Sequence, residues 1–126
     1  RKEVDEKIEE LENVDKLGYL EDMKKVYRQT KIVLVPSKWE EPFGRIPIEA
    51  GASGIPAIAT SKGGLPESVA NHELLVNGEP EQFVEKIKEI EQNYEKYSSQ
   101  ARQNAEEKRQ EKQLEKFEEI IKDAAE

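Results

Sequence analysis

The stretch that decides the fold is residues 32–60, IVLVPSKWEEPFGRIPIEAGASGIPAIAT. It opens with four apolar residues, three of them β-branched, a run typical of a parallel strand that is covered on both faces. A second run of this kind, IPAIAT, closes the stretch. Between the two runs, Pro47 suits the first turn of a helix and Gly54 suits its C-terminal end. Strand, loop, helix and strand in this order predict a βαβ unit of a parallel sheet.

The sequence on either side of this stretch predicts further elements. Residues 4–11 have the apolar spacing of a short amphipathic helix, residues 13–20 could form a short strand, and residues 21–30 have helical spacing. After a glycine turn in KGGLPE, the run ELLV at residues 73–76 predicts the next strand. The sequence therefore predicts an α/β fold with a partial Rossmann-like parallel sheet of three to four strands, flanked by helices.

From Pro80 onward the pattern changes to helices. The spacing of Phe83, Ile87 and Ile90 predicts one amphipathic helix, and a long helical segment follows it. Residues 106–113 contain no apolar side chain, so a helix there is expected to be exposed or frayed. We interpret residues 1–126 as one domain, with residues 13–79 as its α/β core and residues 80–126 as C-terminal helices. Two apolar groups are expected to pack along the long segment: Tyr94, Tyr97, Ala101 and Ala105, then Leu114, Phe117, Ile120 and Ile121.

Composition excludes several classes of partner and site. The 126 residues are 38% charged and 35% hydrophobic, with a net charge of −8, which argues against nucleic acid and anionic membranes as partners. The chain has no cysteine, so a disulfide scaffold and thiol catalysis are excluded, and a cytoplasmic location is expected. No apolar stretch approaches the roughly 20 residues that span a bilayer, so no membrane span is expected.

Two glutamates in the loop and helix of the βαβ unit suggest a binding site. Glu41 and Glu49 are separated by seven residues, and a helix beginning near Arg45 would bring both towards the carboxyl edge of the sheet. The backbone amides around Phe43, Gly44 and Arg45 would be free donors at the helix N-terminus, where an anion such as phosphate binds. Carboxylates beside them suit sugar hydroxyls, which donate hydrogen bonds. Together these groups describe a pocket for a nucleotide-sugar.

The same residues have simpler explanations, and their spacing alone does not choose between the two. An acidic residue near a helix start is a favourable charge at the helix dipole, and a glutamate within the helix is commonly solvated. His72, the only histidine, is expected on a loop or at the surface rather than in catalysis. Trp39 is expected to pack against the core or shield the loop, although it could stack on a sugar or base.

A family resemblance favours the nucleotide-sugar pocket. The passage VYRQTKIVLVPSKWEEPFGRIPIEAGASGIPAIATSKGGLPESV resembles the donor-binding half of retaining glycosyltransferases of the GT-B fold, the group 1 family that includes glycogen and sucrose-phosphate synthases. The two glutamates seven residues apart, the following SGIPAIAT and the loop KGGLPE match that family in kind and order. The similarity covers residues 13–76 and extends more loosely into the final helices.

The resemblance implies a role for each matching residue. Glu41 would be the catalytic carboxylate, contacting hydroxyls of the donor sugar and holding charge near the reacting centre. Glu49 would bind the ribose hydroxyls of a UDP- or GDP-linked donor. Family members need no metal or other cofactor, since amides and basic side chains stabilise the leaving diphosphate. The remaining donor-binding residues of this chain would be Phe43, Gly44, Arg45, Gly63 and Gly64.

The chain also departs from the family. No strand and loop before Leu11 can supply the Arg and Lys that grip the diphosphate, and the N-terminal acceptor-binding domain is absent. The chain opens on Arg1, polar residues KRQ occupy 108–110, and Gly51 replaces a larger residue, which weakens the helix by about 1 kcal/mol relative to alanine. We expect an excised or engineered C-terminal part of a longer enzyme, inactive without that N-terminal domain. The alternatives are a non-catalytic α/β scaffold, a helix-mediated interaction module, or a homodimer joined through an open sheet edge.

Overall fold

The computed structural model describes residues 10, 12–15, 17, 23–38, 45–63 and 65–125. Helices and strands alternate through the first part of this region, and two helices end it. In chain order the elements are α1 (Lys24–Arg28), β1 (Val33–Val35), α2 (Arg45–Ala52), β2 (Ala57–Thr60), α3 (Leu65–Ser68), a 3-10 turn (His72–Leu74), β3 (Leu75–Val76), α4 (Pro80–Gln92) and α5 (Tyr94–Ala125).

The three strands form one parallel sheet in the order β1-β2-β3. Val33 lies opposite Ala57 in the first ladder, and Ala59 lies opposite Leu75 in the second. The predicted α/β fold, with a three-stranded parallel sheet flanked by helices and a long C-terminal helix, is confirmed. Helix α2 begins at Arg45 and ends before Gly54, whose φ of 75° is the left-handed conformation that the sequence predicted at this stop.

The core surrounds β2, because this central strand is covered on both faces. All four of its residues are buried, and Ile58 and Ala59 have no exposed surface. Ile90 of α4 and Tyr97 of α5 belong to the same buried cluster. A strand covered on both faces favours apolar residues throughout, and β2 is apolar up to Thr60, its last residue.

Helix α5 packs closely on α2 through small residues. A Cβ atom built on Gly51 would lie 2.8 Å from the carbonyl oxygen of Ala101 and 3.4 Å from the Cβ of Ala105. Ser98 adds a buried hydrogen bond, since its Oγ donates to the carbonyl of Gly54 at 2.7 Å. Gly51 therefore has a packing role beside its low helix propensity, because the missing side chain lets two backbones approach.

The first half of α5 also holds α3, the short helix that follows β2. Asn104 donates from Nδ2 to the carbonyl oxygen of Ser68 at 3.0 Å. KGGLPE was predicted to be a turn, and α3 starts at Leu65, within this segment. Helix α5 therefore contacts both α2, which follows the loop after β1, and α3, which follows the loop after β2.

Two strand predictions need correction. The third strand is only Leu75–Val76, because residues 72–74 form a 3-10 turn in which the side chain of Asn71 accepts a hydrogen bond from the amide of Glu73 at 2.9 Å. The strand predicted over residues 13–20 is absent at the positions described there. Val14 and Leu17 are 39% and 61% exposed, so no sheet covers them. The helix predicted over residues 4–11 lies outside the described residues, except for Glu10.

The two apolar groups of α5 differ in solvent exposure. Tyr97, Ala101 and Ala105 are buried, as expected for a face that packs on the domain. The second group is exposed, with Phe117 at 59% and Ile120 at 60%. Residues 106–113 are largely exposed but remain helical, so the helix there does not fray. Within the described part of the chain, no helix has both the length and the apolar character needed to cross a membrane.

Ending the chain at Lys112 is expected to leave the free energy of unfolding of the domain unchanged within about 0.5 kcal/mol, since exposed residues contribute little. Urea unfolding followed by circular dichroism measures this. Ending the chain at Gln92 instead removes Tyr97, Ser98 and Ala101 and is expected to abolish the cooperative transition. If the chain that ends at Lys112 loses more than about 1 kcal/mol of its free energy of unfolding, the second half of α5 stabilises the domain.

Candidate functional site

The carboxyl ends of the three strands lie side by side and form the candidate site. Since the strands are parallel, the loops after Val35, Thr60 and Val76 leave from the same edge of the sheet. The amide of Ser61 donates to the carbonyl of Val76 at 3.2 Å, which joins the second and third loops. Ligands of open parallel α/β sheets bind at this edge.

Thr60 ties the loops together at the end of β2. Its side chain is buried, and its Oγ1 donates to the carbonyl oxygen of Ser37 at 2.7 Å in the loop after β1. A Cβ on Gly78, in the loop after β3, would lie 3.6 Å from the Cγ2 of Thr60. Thr60 was not among the residues predicted from the sequence, and its only sequence signal is a hydroxyl at the end of a buried apolar run.

Glu49 lies on α2, four residues after its first residue, and its side chain is exposed. The hydroxyl of Tyr27 in α1 donates to its Oε2 at 3.2 Å. Burial raises the pKa of the Tyr27 phenol, and the charge of Glu49 and this hydrogen bond raise it further. Tyr27 therefore stays protonated at neutral pH and holds one oxygen of the carboxylate, leaving the other oxygen for a ligand.

The other predicted residues fall partly within the described region. Arg45 is the first residue of α2 and is exposed, so it lies at the start of the helix that carries Glu49. Gly63 lies in the turn after β2 with a φ of 51°, a conformation that favours glycine. The amide of Leu65 closes this turn by donating to the carbonyl of Lys62 at 3.0 Å. Four predicted site residues, with Trp39, lie outside the described residues: Glu41, Phe43, Gly44 and Gly64.

Two observations bear on other chemistry. His72 is exposed in the 3-10 turn, as the sequence predicted for a surface position. Among the residues that the structure describes, no group of three histidine, cysteine, aspartate or glutamate side chains is placed to hold a metal ion. What the described edge offers a ligand is a carboxylate, a glycine turn and the start of α2.

The parallel sheet, with polar loops, a glycine turn and a helix start at its carboxyl edge, defines a Rossmann-like α/β domain. The sequence profile of the glycosyl transferases group 1 family matches residues 1–122, so the chain belongs to this family. The observed fold is consistent with the C-terminal domain of a GT-B enzyme, as predicted.

Curated relatives agree with this assignment over part of the chain. D-inositol 3-phosphate glycosyltransferase of Corynebacterium glutamicum is 54% identical over 55 residues, 42% of this chain and 13% of that protein. Spore coat protein SA of Bacillus subtilis is 32% identical over 73 residues, 55% of this chain and 19% of that protein. A glycosyltransferase of Methanocaldococcus jannaschii is 42% identical over 64 residues, 49% of this chain and 15% of that protein. The matched stretches are thus less than a fifth of each relative.

Proposed function

We propose that this chain is the donor-binding part of a retaining glycosyltransferase that transfers a hexose from a nucleotide-sugar to an acceptor. The observation that carries the proposal is the position of Glu49. It lies on α2, the helix that follows the loop after β1, and its carboxylate accepts a hydrogen bond from the hydroxyl of Tyr27 at 3.2 Å. Membership of the group 1 family supports the reaction class.

The groups at this edge match the parts of a nucleotide-sugar. The carboxylate of Glu49 would accept hydrogen bonds from the ribose hydroxyls, because an ionised carboxylate has acceptors only. The diphosphate would lie at the start of α2, towards the amides of Phe43 and Gly44, where the helix dipole favours an anion. Gly63 and Gly64 would let the donor approach the backbone after β2.

The chemistry requires negative charge to be stabilised as the diphosphate leaves the sugar. Backbone amides and basic side chains such as Arg45 would supply this stabilisation without a metal ion. Glu41 would hold the donor sugar at the reacting centre, and the acceptor would attack from the face that the diphosphate leaves, so that the anomeric configuration is retained.

The acceptor and the grip on the diphosphate would come from another domain. We therefore expect the isolated chain to bind donor weakly and to transfer no sugar until an N-terminal GT-B domain is present. A nucleotide-sugar substrate and a sequence without cysteine fit a cytoplasmic protein. A second candidate function is that of a helix-mediated interaction module. It is favoured by the apolar second half of α5, where Phe117 is 59% and Ile120 is 60% exposed.

Donor binding is testable by calorimetric titration with UDP-glucose and GDP-mannose. Saturable binding of one of them is expected, and Glu49→Ala is expected to weaken it at least tenfold, about 1.4 kcal/mol. Glu85→Ala is the matched control, because it removes one exposed glutamate from α4. It should leave the affinity unchanged. No heat at millimolar donor, or equal affinity in Glu49→Ala, would contradict the proposal.

A further inference from the structure

A groove of about 720 Å³ lies on the side of the domain where α2 ends. Its floor is the segment Ser53–Gly54–Ile55, which connects α2 to β2, and its walls are α1 and the first turns of α5. Lys24 and Arg28 line it from α1, and Arg102 lines it from α5. We call this the basic groove. Its volume lies within the range of small-molecule sites, roughly 300–1,000 Å³.

The basic groove and the candidate donor site lie at different ends of α2 and meet at Tyr27, which lines the groove and contacts Glu49. The groove begins at the C-terminal end of α2, whereas Arg45 is the first residue of that helix. With a rise of about 1.5 Å per residue, Arg45 lies about 12 Å and Glu49 about 6 Å along the helix from Ser53 in the groove. The groove opens where β2 starts, at the opposite edge of the sheet from the carboxyl ends of the strands.

Positive charge is concentrated in the groove, although the whole chain carries a net charge of −8. Three cationic side chains and one carboxylate, Glu95, line it. Beside it the ammonium of Lys31 lies 5.4 Å from the ring centroid of Tyr94, another lining residue. The lining therefore has a formal charge of +2, which attracts anions.

Arg102 lies directly on the floor of the groove. A Cβ on Gly54 would come within 2.7 Å of its Nη2 and 2.8 Å of its Cζ, so glycine provides the room for the guanidinium. A guanidinium is a planar fork of donors that matches two oxygens of one phosphate group. Arg28 of α1 is the second arginine that lines the groove.

Three hydroxyl groups of the lining donate hydrogen bonds to backbone carbonyl oxygens. Thr30 donates to the carbonyl of Val26 at 2.7 Å, Ser98 to that of Gly54 at 2.7 Å, and Tyr94 to that of Lys31 at 2.8 Å. These three protons are therefore used within the protein, so a ligand in the groove would be held chiefly by the cationic side chains of the lining, which include Arg28 and Arg102. We propose that the basic groove binds a phosphorylated small molecule, with its phosphomonoester group between Arg28 and Arg102.

Tyr27 connects this groove to the candidate donor site. It lines the groove, while its hydroxyl donates to Glu49 Oε2. A ligand that packs against Tyr27 therefore displaces or steadies the hydrogen bond to Glu49. Occupation of the groove is thereby communicated through a single side chain to Glu49, three residues before the last residue of α2.

Titration with inorganic phosphate at constant ionic strength, followed by amide chemical shifts of the full chain, tests the site. Saturable shifts with a millimolar dissociation constant are expected at Ser53, Gly54 and Glu95. Arg102→Gln and Arg28→Gln should each weaken binding at least fivefold. Arg109→Gln is the matched control, because it removes the same charge from α5 at an exposed position paired with Glu106. Shifts that do not saturate, or that Arg109→Gln weakens equally, would overturn the proposal.

The link through Tyr27 has its own readout, which does not depend on donor binding. Saturating phosphate is expected to shift the amide of Glu49 in the wild-type chain. In Tyr27→Phe this shift should be lost, while Ser53 and Gly54 still respond to phosphate. An unchanged Glu49 shift in Tyr27→Phe would show that the groove and Glu49 are not connected by this side chain.

Discussion

Replacing Gly51 with valine is expected to lower the free energy of unfolding by about 3 kcal/mol, the upper part of the range for an overpacked core. The new Cβ would lie 2.8 Å from the carbonyl oxygen of Ala101, a backbone atom. The nearest side-chain atom would be the Cβ of Ala105, at 3.4 Å. The first of these atoms belongs to the backbone of a 32-residue helix, so it cannot move aside as a flexible side chain would. Helices α2 and α5 must therefore separate.

The smaller change Gly51→Ala distinguishes packing from helix propensity. Propensity alone predicts that alanine stabilises α2 by about 1 kcal/mol, whereas the contact with Ala101 predicts a loss of stability. Urea unfolding followed by circular dichroism measures both variants. Ala52→Val is the control, because Ala52 is exposed on the same helix, and a cost below about 1 kcal/mol is expected for it. If Gly51→Ala is more stable than the wild-type chain, α5 can move away from the new Cβ without a loss of stability, and the packing prediction is wrong.

Replacing Ile90 with alanine is expected to cost about 3 to 4 kcal/mol, as removal of a fully buried aliphatic side chain leaves a cavity. Ile90 has no exposed surface and belongs to the buried cluster that contains Ile58 and Tyr97. Since α4 and α5 both contribute to this cluster, the neighbours cannot close the cavity without moving one helix against the other.

Val84→Ala is the matched control for this prediction. Val84 lies on the same helix and is 50% exposed, and both variants exchange a β-branched residue for alanine, with a similar gain in helix propensity. A cost below about 1 kcal/mol is expected for Val84→Ala in chemical unfolding. Similar costs for the two variants would contradict the assignment of Ile90 to the core.

Much of the fold was predictable because its signals are local. The apolar run that contains β1, the start of α2 at Arg45 and the glycine stop at Gly54 are each read from residues within one element. Predictions were wrong where the local signal was weak. Residues 13–20 lack a clear apolar run, and only Leu75–Val76 of ELLV pairs in the sheet, since the side chain of Asn71 supports a turn before it.

The candidate site was predictable only in part. The motif that carries Glu49 was recognisable from the sequence, and within the described residues Glu49 itself lies on α2. Its partner Tyr27 was not recognisable, because the two residues are 22 positions apart and no periodic pattern connects them. Thr60 was overlooked for the same reason: its hydroxyl bonds to Ser37, 23 positions away.

The amino-acid sequence alone was sufficient for the α/β class, the bounds of α2 and the family of the chain, because these depend on short-range patterns and on a recognisable motif. The folded chain was needed to show that Gly51 is a point of helix contact, that Tyr27 holds Glu49, and that Arg102 lies on Gly54. Each of these is a contact between residues at least 22 positions apart in sequence. Their distances depend on how helices pack against the sheet, which no local pattern specifies.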